Sequence, residues 1–133
     1  MPEEVSERVK ETDMKIAITA SGTTLDAPVD PRFGRAPRFI LFDTETNTFQ
    51  GIDNTQNLNA AQGAGIQAAE TVSRLGAEVV ITGHCGPNAF RTLNAAGITV
   101  VVGASGTVAN AIEAFKNGTL KPAESADVRG HWT

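Results

Sequence analysis

The sequence predicts an α/β domain, in which a mixed sheet of about five strands is covered by about three helices. Short apolar runs rich in β-branched residues recur along the chain, as expected of buried strands. Apolar stripes with helical spacing separate the later runs, so the strands need crossover connections and a largely parallel sheet. A turn-prone tetrad at residues 44–47 lies between two further strand-like segments. It indicates a hairpin, which places at least one antiparallel strand in the sheet.

The first half of the chain supplies three strands and one helix. Residues 15–20 (KIAITA) form the first strand, and residues 38–43 (RFILFD) and 48–53 (TFQGID) form the hairpin. A helix is expected over residues 60–75, ended by Gly76. Its inward face is expected to carry Ile66, Ala69, Val72 and Leu75.

The second half alternates strands and helices. Residues 79–81 (VVI) form a short buried strand, and a helix begins at Pro87, whose fixed φ and missing N–H suit a first helical turn. Residues 98–102 (ITVVV) form the last strand, followed by a helix over residues 108–116. The apolar stripes of these two helices consist of Ala89, Phe90, Leu93 and Ala96, and of Val108, Ile112 and Phe115.

Composition limits the class of protein. The 133 residues suffice for one domain with its own core, and a single cysteine excludes an internal disulfide and a Cys₄ or Cys₂His₂ metal site. The net charge of −4 argues against a nucleic-acid partner, because phosphate binding needs a basic surface. No segment has the length of a membrane span or the pattern of a signal peptide, so we expect a cytoplasmic protein without membrane contact. We divide the chain into a flexible leader (1–13), a folded domain (14–121) and a partly mobile tail (122–133).

The stretch from residue 78 to residue 96 contains the cysteine and one of two histidines, side by side in a strand-to-helix turn. In open α/β sheets such turns lie at the carboxyl ends of strands, where ligands bind. His84 has two interpretations, a ligand contact or a structural hydrogen bond. Cys85 also has two, a reactive thiol at a helix N-terminus or a small residue that fills a tight turn.

An irregular stretch over residues 21–37 is unusually long for a compact domain, which suggests a function. Arg32, Arg35 and Arg38 lie within seven residues and form a local positive spot in an acidic chain. They form either an anion clamp or solvated pairs with Asp26 and Asp30.

Four segments in this order resemble the dinitrogenase iron–molybdenum cofactor biosynthesis family. They are the opening strand (KIAI, 15–18), FGRA (33–36), the polar run 54–59 leading into GAG (63–65), and TG (82–83) followed by GPNAF (86–90). The resemblance covers residues 14–121. It implies a ribonuclease-H-like mixed sheet in strand order 3-2-1-4-5, and the binding of metal–sulfur clusters, including nitrogenase cofactor precursors. A related class, the orange proteins, holds a molybdenum–copper–sulfide cluster noncovalently.

Such a cluster is an anion, so its site needs backbone N–H groups at helix N-termini, positive side chains and apolar walls. Phe33 is expected to cover the site, and Cys85 and His84 are candidate metal ligands, Cys85 as a soft ligand for copper. We expect a carrier or scaffold that meets transient protein partners, not an enzyme. The expected binding set is Arg32, Phe33, Arg35, Gly83, His84, Cys85, Gly86, Asn88, Gly103, Ser105, Gly106 and Thr107. An iron–sulfur or iron–molybdenum cofactor precursor is the alternative cargo.

Other activities fit the sequence less well. A nuclease would need converging carboxylates, and Asp26, Asp30, Asp43 and Asp53 lie in a loop and at hairpin ends. A hydrolase dependent on Cys85 would want a histidine across the site rather than next to it in sequence. A nucleotide or phosphate site at residues 103–107 (GASGT) lacks the lysine and spacing of a phosphate-binding P-loop.

Overall fold

A computed structural model of the chain describes residues 14–54 and 63–123. Five strands and three helices follow one another in the predicted order. They are β1 (Lys15–Ala20), β2 (Arg38–Asp43), β3 (Thr48–Asp53), α1 (Ala64–Arg74), β4 (Val79–Ile81), α2 (Pro87–Ala95), β5 (Thr99–Val101) and α3 (Val108–Lys116).

The five strands form one mixed sheet in the order β3-β2-β1-β4-β5. β1, β4 and β5 run parallel, with Ile16 opposite Val79, and β2 and β3 form an antiparallel hairpin beside β1. Asn47 closes the hairpin with a left-handed φ of 57°, a conformation that asparagine tolerates well. The predicted fold and strand order are confirmed.

Helices cover both faces of the sheet, because successive strand residues point to opposite sides. α1 and α2 pack on the face that carries Ala17, Val80 and Val100. α3 packs on the opposite face against Ile16, Ile18 and neighbouring apolar residues. The result is a three-layer domain with two cores and the sheet between them.

Three element predictions differ from the structure. Ala96, expected on the apolar stripe of α2, is exposed, because the helix ends at Ala95 and Ala96 is its C-cap. The inward face of α1 is formed by small residues, while Ile66 and Leu75 are only partly buried. The reason is that the backbone at Gly34 packs closely against the first turn of α1 and leaves room only for small side chains. A Cβ on Gly34 would lie 2.8 Å from the Cα of Gly65. β5 is also shorter than the predicted 98–102. The buried residues of α1 are Ala64, Gly65, Ala68, Ala69 and Val72; the predicted helix residues 60–62 lie outside the described part.

The chain covers the outer edge of β5 after α3. The Ala123 N–H donates to the Val100 carbonyl at 2.7 Å, and Pro122 forms a bridge with Val101. Residues 122 and 123, which the prediction placed in the tail, therefore pair with β5. The predicted leader and the remaining tail lie outside the described residues. Within 14–54 and 63–123, no helix combines the length and apolarity needed to cross a membrane.

Candidate functional site at the carboxyl ends of the parallel strands

Three connections meet where β1, β4 and β5 end: residues 21–37, 82–86 and 102–107. Backbone hydrogen bonds join them directly. The Gly103 N–H donates to the Gly83 carbonyl at 2.9 Å, and the Val29 N–H donates to the Gly106 carbonyl at 2.9 Å. The sheet edge singled out by sequence is therefore one continuous surface built from all three connections.

The connections after β1 and β4 run side by side as a short parallel pair, in which Arg32 is bridged to His84. The His84 N–H donates to the Pro31 carbonyl at 2.7 Å, and the Phe33 N–H donates to the His84 carbonyl at 3.3 Å. Gly83 makes this approach possible, because a Cβ there would lie 2.7 Å from the Cα of Pro31. Two segments of irregular sequence thus extend the sheet beyond its regular strands.

Side chains along this extension alternate between the core and the surface, as they do in any strand. Phe33 and Cys85 are each only 1% exposed and lie in the core beneath α1 and α2. Arg32 and His84 point outward, and the Arg32 side chain is 47% exposed. Bridged residues of a parallel pair face the same side, so the Arg32 and His84 side chains leave neighbouring positions on the same outer surface.

This alternation changes the expected roles of two candidate residues. The Phe33 ring packs against Phe39, with ring centroids 5.6 Å apart, so it forms the floor beneath the surface rather than a cover over it. The Cys85 thiol is buried and lies 3.7 Å from the Gly86 carbonyl oxygen. Burial favours the interpretation that Cys85 fills a tight turn, because a copper ligand would have to leave the core.

Asp30 restrains the arginine. Its Oδ1 accepts a hydrogen bond from the Arg32 N–H at 3.0 Å and lies 3.9 Å from the Arg32 Nε. The Asp30 side chain is mostly buried, whereas the guanidinium is half-exposed. The pair therefore orients Arg32 while leaving much of its charge accessible to a ligand.

The first turn of α3 is occupied by the chain itself. The Thr107 side chain accepts from the Asn110 N–H, and the Asn110 side chain accepts from the Thr107 N–H, both at 3.1 Å. The Val108 and Ala109 N–H groups donate to the carbonyls of Ala27 and Leu25, both at 2.9 Å. Two of the four predicted anion contacts thus already use their N–H groups, Thr107 in the cap and Gly103 in the bond to the Gly83 carbonyl. Ser105 and Gly106, the other two, lie in the same turn.

The first turn of α2 differs. Its N-cap is Gly86, no side chain caps it, and Pro87 occupies the first helical position. Asn88 is exposed in this turn, and its Oδ1 accepts from Arg91 at 3.4 Å. Positive helix-dipole ends attract anions, so this turn complements the neighbouring Arg32 and His84.

Arg35 lies half-buried further along the connection, just past Gly34. Because Gly34 packs on α1, Arg35 sits toward the α1 side of the edge. The following segment is fixed by Asn54, a buried residue whose side chain donates to the Ala36 carbonyl at 2.7 Å. Asn54 is not among the predicted binding residues, although a polar residue directly after a strand is a usable signal.

Sequence reasoning also missed Thr19 and Thr82, which are fully buried at the ends of β1 and β4. Their hydroxyl oxygens lie 2.9 Å apart. The available signal was a threonine at the core-facing position two residues after Ala17, where an apolar residue is expected.

Two surface grooves lie away from this edge. One, of about 340 Å³, runs between α1 and α2, and another, of about 250 Å³, lies beside β5 and Pro122. Neither is lined by Arg32 or His84. Across the described ranges, no group of three or more His, Cys, Asp or Glu side chains is arranged to hold a metal ion.

A family model matches most of the chain, and several known proteins are similar to it. The family model described as dinitrogenase iron-molybdenum cofactor matches residues 14–118. The apo form of the orange protein from Desulfovibrio gigas is 40% identical, with a TM-score of 0.85 over 87% of this chain and 98% of that one. A NifB-like protein of Thermotoga, solved by NMR, is 35% identical, with a TM-score of 0.74 over 86% and 99% of the two chains. An uncharacterized protein of Methanocaldococcus jannaschii is 27% identical over 114 residues, which are 84% of this chain and 92% of that protein.

Proposed function

The chain belongs to the dinitrogenase iron-molybdenum cofactor family, and we propose that it binds an anionic metal–sulfur cluster noncovalently at the carboxyl ends of β1 and β4. The observation that carries the proposal is the outward-facing pair of Arg32 and His84 beside the uncapped first turn of α2. The cluster is cargo, so the protein acts as a carrier or scaffold that passes it to transient protein partners.

The side chains at this edge suit a cluster that brings its own sulfides. Arg32 supplies a permanent positive charge, and His84 supplies a ring N–H that can donate to a sulfide. The first turn of α2 adds the positive end of a helix dipole, and Phe33 and Cys85 make the layer beneath apolar. Such a site holds its ligand from outside the metal coordination shell, so it needs no protein thiolate.

We propose molybdenum–copper–sulfide as the cargo, because the similar Desulfovibrio gigas structure is the apo form of an orange protein. An iron–molybdenum cofactor precursor is the alternative, supported by the family description and the NifB-like neighbour. Metal and acid-labile sulfide analysis of protein purified without oxygen from its native host separates the two. Molybdenum with copper supports the first cargo, and iron supports the second.

Two other functions have less support from the geometry. A nucleotide or phosphate at residues 103–107 would compete with the chain's own hydrogen bonds to the first turn of α3. A hydrolase based on Cys85 would need its histidine partner on the same side. The alternation along 83–85 turns His84 outward and Cys85 inward.

The test is an anoxic titration of the protein with tetrathiomolybdate and Cu(I), followed by charge-transfer absorption. Arg32→Gln and His84→Gln should each weaken binding by roughly 10- to 100-fold, the range for losing a hydrogen bond to a charged partner. Arg74→Gln is the matched control, since Arg74 is an exposed arginine in the last turn of α1, near the opposite sheet edge. Equal affinities for all four proteins, or no binding of this cluster or an iron–sulfur precursor by the wild type, would overturn the proposal.

A further inference from the structure

Two buried hydroxyl groups lie directly beneath the candidate site. Thr19, in β1, and Thr82, just after β4, are both 0% exposed, and their side-chain oxygens are 2.9 Å apart. The Thr19 hydroxyl also donates to the Asp30 carbonyl at 2.7 Å. Valine has nearly the same shape as threonine, so simple core filling does not require either hydroxyl.

These hydroxyls join the connection after β1 to the connection after β4. The Asp30 N–H donates to the Thr19 carbonyl at 3.0 Å, so both backbone polar groups of Asp30 are bonded to Thr19. On the other side, the Thr82 carbonyl accepts from the Ala104 N–H at 3.2 Å, in the connection after β5. A buried polar group is stabilising only when it is hydrogen-bonded, so the hydroxyl pair favours one arrangement of the connections after β1 and β4.

The restraint reaches the surface through Asp30. Asp30 precedes Pro31 and Arg32, and its carboxylate accepts the Arg32 N–H at 3.0 Å. Pro31 in turn accepts the His84 N–H at 2.7 Å. A continuous series of hydrogen bonds and peptide bonds therefore runs from the Thr19–Thr82 pair to the backbone of Arg32 and His84.

We propose that the Thr19–Thr82 hydroxyl pair is the positioning element that sets Arg32 against His84 for ligand binding. The inference rests on the proposed function for its binding consequence. Its structural consequence is that the segments carrying Arg32 and His84 are held together, and this applies equally to the protein without ligand. The two threonines act through Arg32 and do not touch the ligand.

The first experiment measures amide hydrogen exchange of the ligand-free full chain. Thr19→Val should speed exchange at Phe33 and His84 about ten-fold or more, because it leaves both the Thr82 hydroxyl and the Asp30 carbonyl without the Thr19 hydroxyl, while β1 and β4 exchange as in the wild type. Thr82→Val keeps the bond from Thr19 to Asp30 and should speed exchange less. Thr19→Ser, which keeps the hydroxyl, should restore slow exchange. Thr71→Val is the control, since it removes a hydroxyl that bonds only within α1, to the Gln67 carbonyl at 3.0 Å.

The second experiment separates positioning from general stability by a double-mutant cycle. Thr19→Val should weaken binding of tetrathiomolybdate with Cu(I) several-fold when Arg32 is present, and should have little further effect in Arg32→Gln. Exchange that rises equally over the whole sheet, or binding losses that simply add, would overturn the positioning role. If the wild type binds no cluster, the proposed function is wrong. The amide exchange of the ligand-free protein then still tests whether the hydroxyl pair holds the Arg32 and His84 segments together.

Discussion

Gly83→Ala tests the contact on which the candidate site depends. A Cβ at residue 83 would lie 2.7 Å from the Cα and 2.9 Å from the carbonyl oxygen of Pro31. Ordinary contacts begin near 3.4 Å, so the two segments must separate by about 0.7 Å. The obstacle is backbone, which cannot swing aside as a flexible side chain would.

The separation weakens the pairing of the two connections. The Phe33 N–H lies 3.3 Å from the His84 carbonyl oxygen, so a shift of this size removes that hydrogen bond. Overpacking of this kind costs about 1–3 kcal/mol. For a domain of this size, the loss corresponds to a fall in the melting temperature of roughly 3–15 °C.

Urea unfolding measures the loss, and amide exchange at Phe33 and His84 locates it. Gly97→Ala is the control, because a Cβ there meets nothing within 4 Å and the cost comes only from its φ of +79°. We expect that control to lose about 1–2 kcal/mol without a selective change at Phe33 or His84. A Gly83→Ala protein within 0.5 kcal/mol of the wild type, with unchanged exchange at both amides, would show that the two segments are not in close contact.

Three further substitutions test individual residues. Phe33→Ala should lower the free energy of unfolding by about 3–5 kcal/mol, because the ring is buried against Phe39. A loss below about 1 kcal/mol in urea unfolding would contradict the burial of this ring. Cys85→Ser should cost about 1–3 kcal/mol by burying a hydroxyl in place of the thiol, yet leave cluster affinity unchanged. Loss of the charge-transfer band in a folded Cys85→Ser protein would instead identify the thiol as a metal ligand. Thr107→Ala should lower stability by about 0.5–2 kcal/mol in thermal unfolding, because it removes the side-chain cap of α3. The control Ser105→Ala, at an exposed neighbouring position, should change stability by less than about 0.5 kcal/mol. Equal effects of the two substitutions would argue against the cap.

Local sequence patterns predicted the regular elements well because their causes are local. The strands at 15–20, 38–43 and 48–53 and the helix at 108–116 have the predicted bounds. The main error lay in the inward face of α1, where alanine and glycine are buried in preference to Ile66. Close packing of α1 on Gly34 selects small residues, and hydrophobicity alone does not reveal such a contact.

The candidate site was predicted as a region but not in its arrangement. Sequence located the strand-to-helix turn with His84 and Cys85 and the arginine-rich stretch before β2. It treated Phe33 as a cover and the first turn of α3 as an anion contact. Both residues of the buried hydroxyl pair escaped notice, since a threonine in a strand looks ordinary until its partner on another strand is known.

The sequence by itself determined the elements, their order and the edge at which connections meet, because propensity, apolar periodicity and chain connectivity act over short distances. Only the tertiary structure decided which side chains of those connections face the surface and which are buried. Irregular segments have no hydrophobic periodicity of their own. The side chains of residues 31–33 alternate between core and surface only because this segment pairs with residues 83–85. That pairing joins segments about fifty residues apart, and it turns Arg32 and His84 outward while it buries Phe33 and Cys85.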